Sequence, residues 1–282
     1  MENLLIVDGH NLLFQMFYGM PSRIFGRNGQ AIQAVVGFTG ALLKVIKNIQ
    51  ASYVVVLFDG EKGSYRVDEN IEYKGNRKKY TDTADDDNPF LQLVDIKRVL
   101  NFLEIKYFEI IERVETDDVV ASYVATLKER YNIYILSTDT DFMQLVNNNV
   151  KVLVYRGKKS KIYDIDTVIE RYGIAPQYFA DYKSLIGDPS DNIIGIRGIG
   201  PKTAKKLIDK LGHIEDIIKN ADLIENDSIR SSIQKNTEML LANIKLIKLS
   251  QKTEIPFEIE ALQIKNFDDY KTIEILRHIK LI

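Results

Sequence analysis

An α/β fold with a largely parallel central sheet, followed by a helical region, is the fold class this sequence predicts. Three observations lead to it. Short apolar runs broken by polar turns read as buried strands at "LLIVDG" (4–9), "YVVVLFDG" (53–60) and "IYILSTDTD" (133–141). Segments of helical period, "AIQAVVGFTGALLKVIKNI" (31–49) and "LQLVDIKRVLNFL" (91–103), lie between them, and strands alternating with helices favour a parallel sheet. From about Tyr178 the strand signal fades and helix dominates, so 1–180 is read as the α/β domain and 181–282 as a helical one, with the boundary near Asp181.

Each predicted strand runs into aspartate: Asp8, then Asp59, then Asp139 and Asp141. One aspartate after a strand can simply cap the next helix. Three at the same end of one sheet lie where α/β proteins bind ligands, outside the carboxyl ends of the strands. Next in order, "ERVETDDVVASYVATLKERY" (112–131) reads as a helix with Glu115, Asp117 and Asp118 in its first turn, a placement the helix dipole also favours. "KVLVYRGKKSKIYD" (151–164) reads as an edge hairpin to which no function is given, and the stretch from Thr253 onward as a packed extension.

With 282 residues, 45% of them hydrophobic, the chain can bury a large core. It has no cysteine, which excludes disulfides, thiolate zinc sites and cysteine nucleophiles. No run approaches membrane-spanning length, and a cytoplasmic protein is expected. The net charge of −2 argues against a nucleic-acid partner. Discounting nine metal-bound carboxylates, however, leaves 31 acidic residues against 38 basic ones.

Those nine are Asp8, Asp59, Glu115, Asp117, Asp118, Asp139, Asp141, Asp188 and Asp191. Gathered in one crevice, they would have to protonate in part or hold divalent cations. All-oxygen ligands point to two magnesium ions, with manganese as a substitute; His10 is a lesser candidate beside Asp8. Two such ions are the usual apparatus for in-line displacement at phosphorus. No P-loop and no nucleophile elbow is present, so phosphoester hydrolysis without a nucleotide cofactor is the leading chemistry.

Two basic segments suggest the substrate. "YKGNRKKY" (73–80) sets Lys74, Arg77, Lys78 and Lys79 between tyrosines, as a solvated turn or as a phosphate clamp with a stacking surface. The acidic "TDTADDDNP" after it predicts a flexible part of a loop or arch. In "GIRGIGPKTAKKL" (195–207), Gly198 and Gly200 allow a tight turn whose N–H groups face phosphate, and Pro201 opens a helix bearing Lys202, Lys205 and Lys206. Contacts of this kind go to the nucleic-acid backbone and are independent of sequence.

"VDG", "FDG", "YKGNR", "ETDDVVASY", "STDTDFMQLV" and "GDPSDNIIGIRGIGPKTAKKL" follow one another in an order that resembles the 5′ nuclease, or flap endonuclease, family, as in the N-terminal nuclease domain of bacterial DNA polymerase I. The resemblance covers residues 4 to about 211. It implies a PIN-like nuclease domain with a helical arch at about 61–100, then a helix-three-turn-helix (helix-hairpin-helix-like) DNA-binding region. By that resemblance Asp8, Asp59, Glu115 and Asp117 serve one metal, and Asp139, Asp141, Asp188 and Asp191 a second, with Asp118 in support. Lys74 and Arg77 act on the scissile phosphate, and Tyr73, Lys78, Gly198, Gly200, Lys202 and Lys205 contact DNA, with a potassium ion at the glycine turn. The implied substrates are 5′ flaps, nicks, 5′ ends and RNA primers in hybrids, cut by a monomer in transient contact with polymerase or ligase. One departure stands out: Gln15 occupies a position where family members usually carry arginine. A non-catalytic binder of branched DNA and a PIN-type endoribonuclease are the alternative readings.

Overall fold

The computed structural model describes residues 1–282 except 61–63, 77–79, 81–86, 111–112, 268 and the side chain of Glu69. Six strands form the central sheet: β1 (Asn3–Asp8), β2 (Ala51–Phe58), β3 (Lys106–Glu109), β4 (Asn132–Leu136), β5 (Val150–Val154) and β6 (Lys161–Tyr163), in the order β3-β2-β1-β4-β5-β6. All neighbours are parallel except β5 and β6, which pair antiparallel at the edge. A small antiparallel pair, β7 (Gly187–Asp188) and β8 (Ile193–Ile194), lies apart from it.

Parallel strands covered on both faces must be apolar on both faces, and β1 shows why "LLIV" is unbroken. Leu4 and Ile6 enter one core, Leu5 and Val7 the other, and all four are fully buried. Helices α1 (Gly9–Gly19), α2 (Gln33–Ile49) and α4 (Leu93–Phe102) pack on the Leu5 face; α3 (Arg66–Glu69) is a single short turn. The Leu4 face carries α5 (Thr116–Leu127), α6 (Ile165–Tyr172) and α7 (Phe179–Ile186). These continue into α8 (Pro201–Leu211), α9 (Ile214–Lys219), α10 (Asp227–Lys235) and α11 (Thr237–Ile247).

The extension past Thr253 crosses back. Ile264 N–H donates to the Ser52 carbonyl (3.0 Å), Arg27 N–H to that of Leu281 (3.0 Å), and α12 (Thr272–His278) buries Ile275 and Leu276 in the α2–α4 core.

The sheet order places a topological switch between β1 and β4. From β1 the chain moves outward to β2, and from β4 it moves outward the other way to β5. Crevices at such switch points, beyond the carboxyl ends of the strands, are where α/β proteins place their ligands. Asp8 ends β1, and Asp139 follows β4 by three residues.

Sequence and structure differ in several places. Residues 137–141 are not strand: Asp139 caps a 3-10 turn, Thr140–Leu145. β3 has no counterpart in the sequence reading. Asp181 lies buried within α7, accepting the Ile214 N–H (2.9 Å) and facing His213 Nδ1 (2.9 Å). Of the region expected to form an arch, 61–63, 77–79 and 81–86 fall outside the described residues, and its end, from Leu93, is the core helix α4.

Backbone contact shapes the β7–β8 unit. Gly187 has φ +84°, and a Cβ on Gly195 would fall on the Ile186 carbonyl carbon and the Gly187 nitrogen. Gly195→Ala is therefore expected to destabilise the fold by about 1–3 kcal/mol, as overpacking does, measured by urea unfolding; an unchanged midpoint contradicts the close approach.

Candidate metal centre and nucleic-acid surface

Each carboxylate at the carboxyl end of the sheet is positioned by short-range donors. Asp8 accepts from Asn11 N–H (3.1 Å) and Ser137 Oγ–H (2.8 Å). Half-exposed Asp59 accepts from Thr116 N–H (3.2 Å) and Oγ–H (2.6 Å), which joins β2 to the start of α5. Asp139 accepts from the Asp141 N–H (2.8 Å), and Asp188 from Ser190 N–H (2.9 Å) and Oγ–H (2.5 Å). Carboxylate oxygens of Asp141, Asp188 and Asp191, all buried, lie within 4.8 Å of one another.

Like charges held this close raise one another's pKa. Burial, then the charge of Asp59, pushes the Asp8 carboxyl up to about 7. Burial, then Asp139, pushes Asp141 up to about 7. Asp117 is raised well above the usual range by burial and by Asp139, Glu115 and Asp8, although Lys74 opposes this.

Three cations offset the repulsion. Lys74 Nζ reaches Glu115 (2.8 Å) and Asp117 (3.9 Å). Arg66, 1% exposed, pairs with Glu115 (3.0 Å) and forms a two-pronged bridge to Asp118 (2.9 and 2.8 Å). Buried Lys183 bridges Asp141 and Asp188. Burial alone would raise the Glu115 carboxyl, but Lys74 and Arg66 outweigh it and hold the group below its ordinary value; Lys183 and Ser190 do the same for Asp188.

The crevice thus gathers Asp8, Asp59, Glu115, Asp117, Asp139, Asp141, Asp188 and Asp191 from five separate parts of the chain. Asp118 does not join them. It is fully buried, and Arg66 and the Ser250 N–H (2.7 Å) occupy its oxygens, so it serves the fold and offers no ligand. Tyr73 also departs from its expected place on a DNA surface. It is 4% exposed, with its hydroxyl toward Glu115 (3.3 Å) and Asp191 (3.4 Å). Lys74 sits as expected at the crevice, with φ +54° and its N–H bonded to the Asp191 carbonyl (3.0 Å). Arg77 and Lys78, with Lys79, lie outside the described residues.

The donor set fits divalent cations. Glu115 Oε1 is buried without a hydrogen-bond partner, and a Lys183 ammonium already lies between two of the three grouped aspartates. His10 accepts the Asp59 N–H at Nδ1 (3.1 Å) and packs among Phe14, Phe58 and Phe90, while its buried Nε2 has no partner. Arg66 and Lys183 escaped the sequence reading: a lone basic residue in a short helix carries no pattern until its partners are placed.

At the second basic segment, Gly198 has φ +88° and is exposed with Gly200, the N-cap of α8. No acidic residue occupies the first turn of α8, no side chain caps it, and exposed Lys202 and Lys205 stand on its first two turns, a setting that favours an anion. Lys205 pairs with Asp209 at 2.6 Å, an exposed pair that an incoming phosphate can displace.

A family model described as 5′-3′ exonuclease, N-terminal resolvase-like domain, matches residues 3–173. The chain belongs to the 5′-3′ exonuclease family. The companion description for this family, 5′-3′ exonuclease, C-terminal SAM fold, matches residues 174–270. Among family members, the 5′-3′ exonuclease of Aquifex aeolicus is 31% identical over 282 residues, covering 100% of this chain and 93% of its own. The thermostable DNA polymerase I of Thermus thermophilus is 34% identical over 261 residues, 92% of this chain; the match spans 30% of the polymerase. Solved structures sharing the fold include the T5 D15 protein co-crystallised with metal ions (27% identity, TM-score 0.72, covering 87% of this chain and 89% of that one). A bacteriophage T5 flap endonuclease complexed with DNA and metal ions matches at 26% identity and the same TM-score, over the same shares.

The raised pKa values carry a sign. Asp8 and Asp141 bind protons more tightly folded than unfolded, so cation-free stability falls as pH rises from about 4 to about 7. Glu115 and Asp188, held low, lose their contribution only at lower pH. Because a cation requires the ionised groups, the rise in Tm on adding magnesium should be larger at about pH 8 than at about pH 5.5. Scanning calorimetry reads this directly, and an increment that is equal at both values, or larger in acid, contradicts the site.

Proposed function

We propose that this chain is a structure-selective 5′ nuclease that hydrolyses DNA phosphodiesters, and those of RNA primers in hybrids, with two magnesium ions for which manganese can substitute. The observation that carries this is the meeting of eight carboxylates at the β1–β4 switch, on a molecule that also exposes a helix N-terminus flanked by lysines. Asp8, Asp59, Glu115 and Asp117 would hold one ion, and Asp139, Asp141, Asp188 and Asp191 the other. Bound there, the ions would supply an activated water and neutralise charge on the leaving oxygen.

The chain's own residues prepare the rest. Ser137, Asn11, Thr116 and Ser190 fix the directions of the carboxylates, so little reorganisation accompanies the reaction. Lys74 is held at the crevice edge by its bond to the Asp191 carbonyl and can exchange Glu115 for a phosphoryl oxygen; Arg77, three residues on, is proposed to assist it. Gly198, Gly200, Lys202 and Lys205 would grip duplex phosphates, with potassium at the turn, and Lys78 would add a contact at the crevice. A monomer acting in the cytoplasm on flaps, nicks and 5′ ends, in passing contact with polymerase or ligase, completes the reading.

Asp141→Asn should lower magnesium-dependent cleavage of an end-labelled 5′-flap duplex by more than about 100-fold, while flap binding in EDTA persists. A wild type that binds flaps yet cuts nothing with magnesium or manganese overturns the proposal.

A further inference from the structure

The hydrogen-bond ladder between β1 and β4 ends at Val7 and Leu136, one residue short of Asp8. Beyond that pair the two chains part: Gly9 begins α1, and Asp139 caps the 3-10 turn Thr140–Leu145. The chain leaving β4 still meets β5, through the Ser137 N–H and the Leu153 carbonyl (3.2 Å). Backbone pairing therefore does not set the distance between Asp8 and the segment of Asp139 and Asp141. These are carboxylates that the two-ion reading divides between its two ions.

Two side-chain links cross the gap instead. Ser137, 3% exposed, donates its Oγ–H to Asp8 (2.8 Å) and accepts the Asp139 N–H on the same oxygen (3.0 Å). Asn11 donates its backbone N–H to Asp8 (3.1 Å), while its side-chain oxygen accepts both the N–H and the Oγ–H of Thr138 (3.0 and 2.9 Å). Asp139 in turn accepts the Asp141 N–H (2.8 Å). One unbroken series of hydrogen bonds thus runs from Asp8 to Asp141.

Elsewhere in the centre cations hold carboxylates together: Lys74 lies between Glu115 and Asp117, and Lys183 bridges Asp141 and Asp188. Asp8 and Asp139 repel each other, and the span between them is held by the neutral groups of Asn11, Ser137 and Thr138. An ammonium has to move aside when a divalent cation arrives. A hydroxyl or a carboxamide of this kind does not, so its hold is the same before and after binding.

We propose that Asn11 and Ser137 are positioning residues that fix the separation of the two ion positions. Neither is a metal ligand; both act through Asp8 and Asp139. This rests on the two-ion reading of the site but not on turnover. Hydrogen bonds that orient metal ligands are typically worth about 10–100-fold in metal affinity. Because either link spans the gap by itself, losing both costs more than the two single losses combined.

The test is manganese binding to the whole chain without substrate, followed by electron paramagnetic resonance. The free-ion signal counts the ions bound, and the spectrum of bound manganese shows whether two of them lie close enough to couple. The wild type should bind two ions as a coupled pair. Asn11→Ala keeps the backbone N–H to Asp8 and loses only the link to Thr138, and Ser137→Ala loses only the other link. Each should weaken binding of the second ion by no more than about fivefold. The double variant should weaken it by more than the product of the two, at least about tenfold, and lose the coupled spectrum. As a control, Asn149→Ala removes a side-chain bond to the Lys128 carbonyl (2.9 Å) at the amino end of the sheet, and should keep both ions and their coupling. Circular dichroism in EDTA establishes that each variant folds. Should the double variant not fold, the single ones decide, and a coupled spectrum unchanged in both overturns the proposal. Two coupled ions in a folded double variant overturn it and leave the nuclease reading standing. A wild type that binds fewer than two ions overturns the two-ion reading and this inference with it.

Discussion

Repulsion among buried carboxylates is the constraint around which this molecule is built. Two unit charges a few ångströms apart in a poorly solvated crevice repel by several kcal/mol, and eight acidic side chains meet at the end of the sheet. The fold offsets this with cations that are themselves nearly buried. Burying the charges of Arg66 and Lys183 would be costly without the acids beside them, and removing one partner of such a pair costs about 3–5 kcal/mol. Arg66 also reaches Asp118, which holds the Ser250 N–H and so fastens the chain beyond α11 to the base of the centre.

The same balance bears on how charge is distributed in an overall acidic chain. Eight of the forty acidic side chains meet in the crevice, where Arg66, Lys74 and Lys183 offset part of their charge, while Lys202 and Lys205 stand exposed beside the Gly198 turn. Net charge is a poor guide to partners when the two signs are segregated by depth.

What the sequence discloses about this arrangement follows from what a side-chain pattern can encode. β1, β2 and β4 are legible because parallel strands buried on both faces appear as unbroken apolar runs. "KYFE" of β3 is four residues long at the sheet edge, with Lys106 exposed, and makes no such run. The acidic positions are legible because aspartate recurs at strand ends, but residue type does not give direction. Asp117 and Asp118 are adjacent on α5, and a helix turns about 100° per residue; one therefore faces the crevice and the other the Arg66 side of the core. Tyr73 stands in a basic segment that looks like a surface clamp, yet its ring fills the core and only its hydroxyl meets the acids. Lys183 is invisible for the converse reason. It is flanked by Tyr182 and Ser184 in an ordinary helix, and nothing marks it until Asp141 and Asp188 arrive from elsewhere.

The return of the final segment to the opposite side of the sheet also has a mechanical consequence. α12 seals the α2–α4 core while residues just before it are stitched to β2, so the first and last parts of the chain close a single loop of packing around the helical region between them. A force on that helical region is passed to the N-terminal core through two attachments at once. Unfolding of α12 would accordingly open the α2–α4 core and, through residues 263–264, loosen the hold on β2 at the same time.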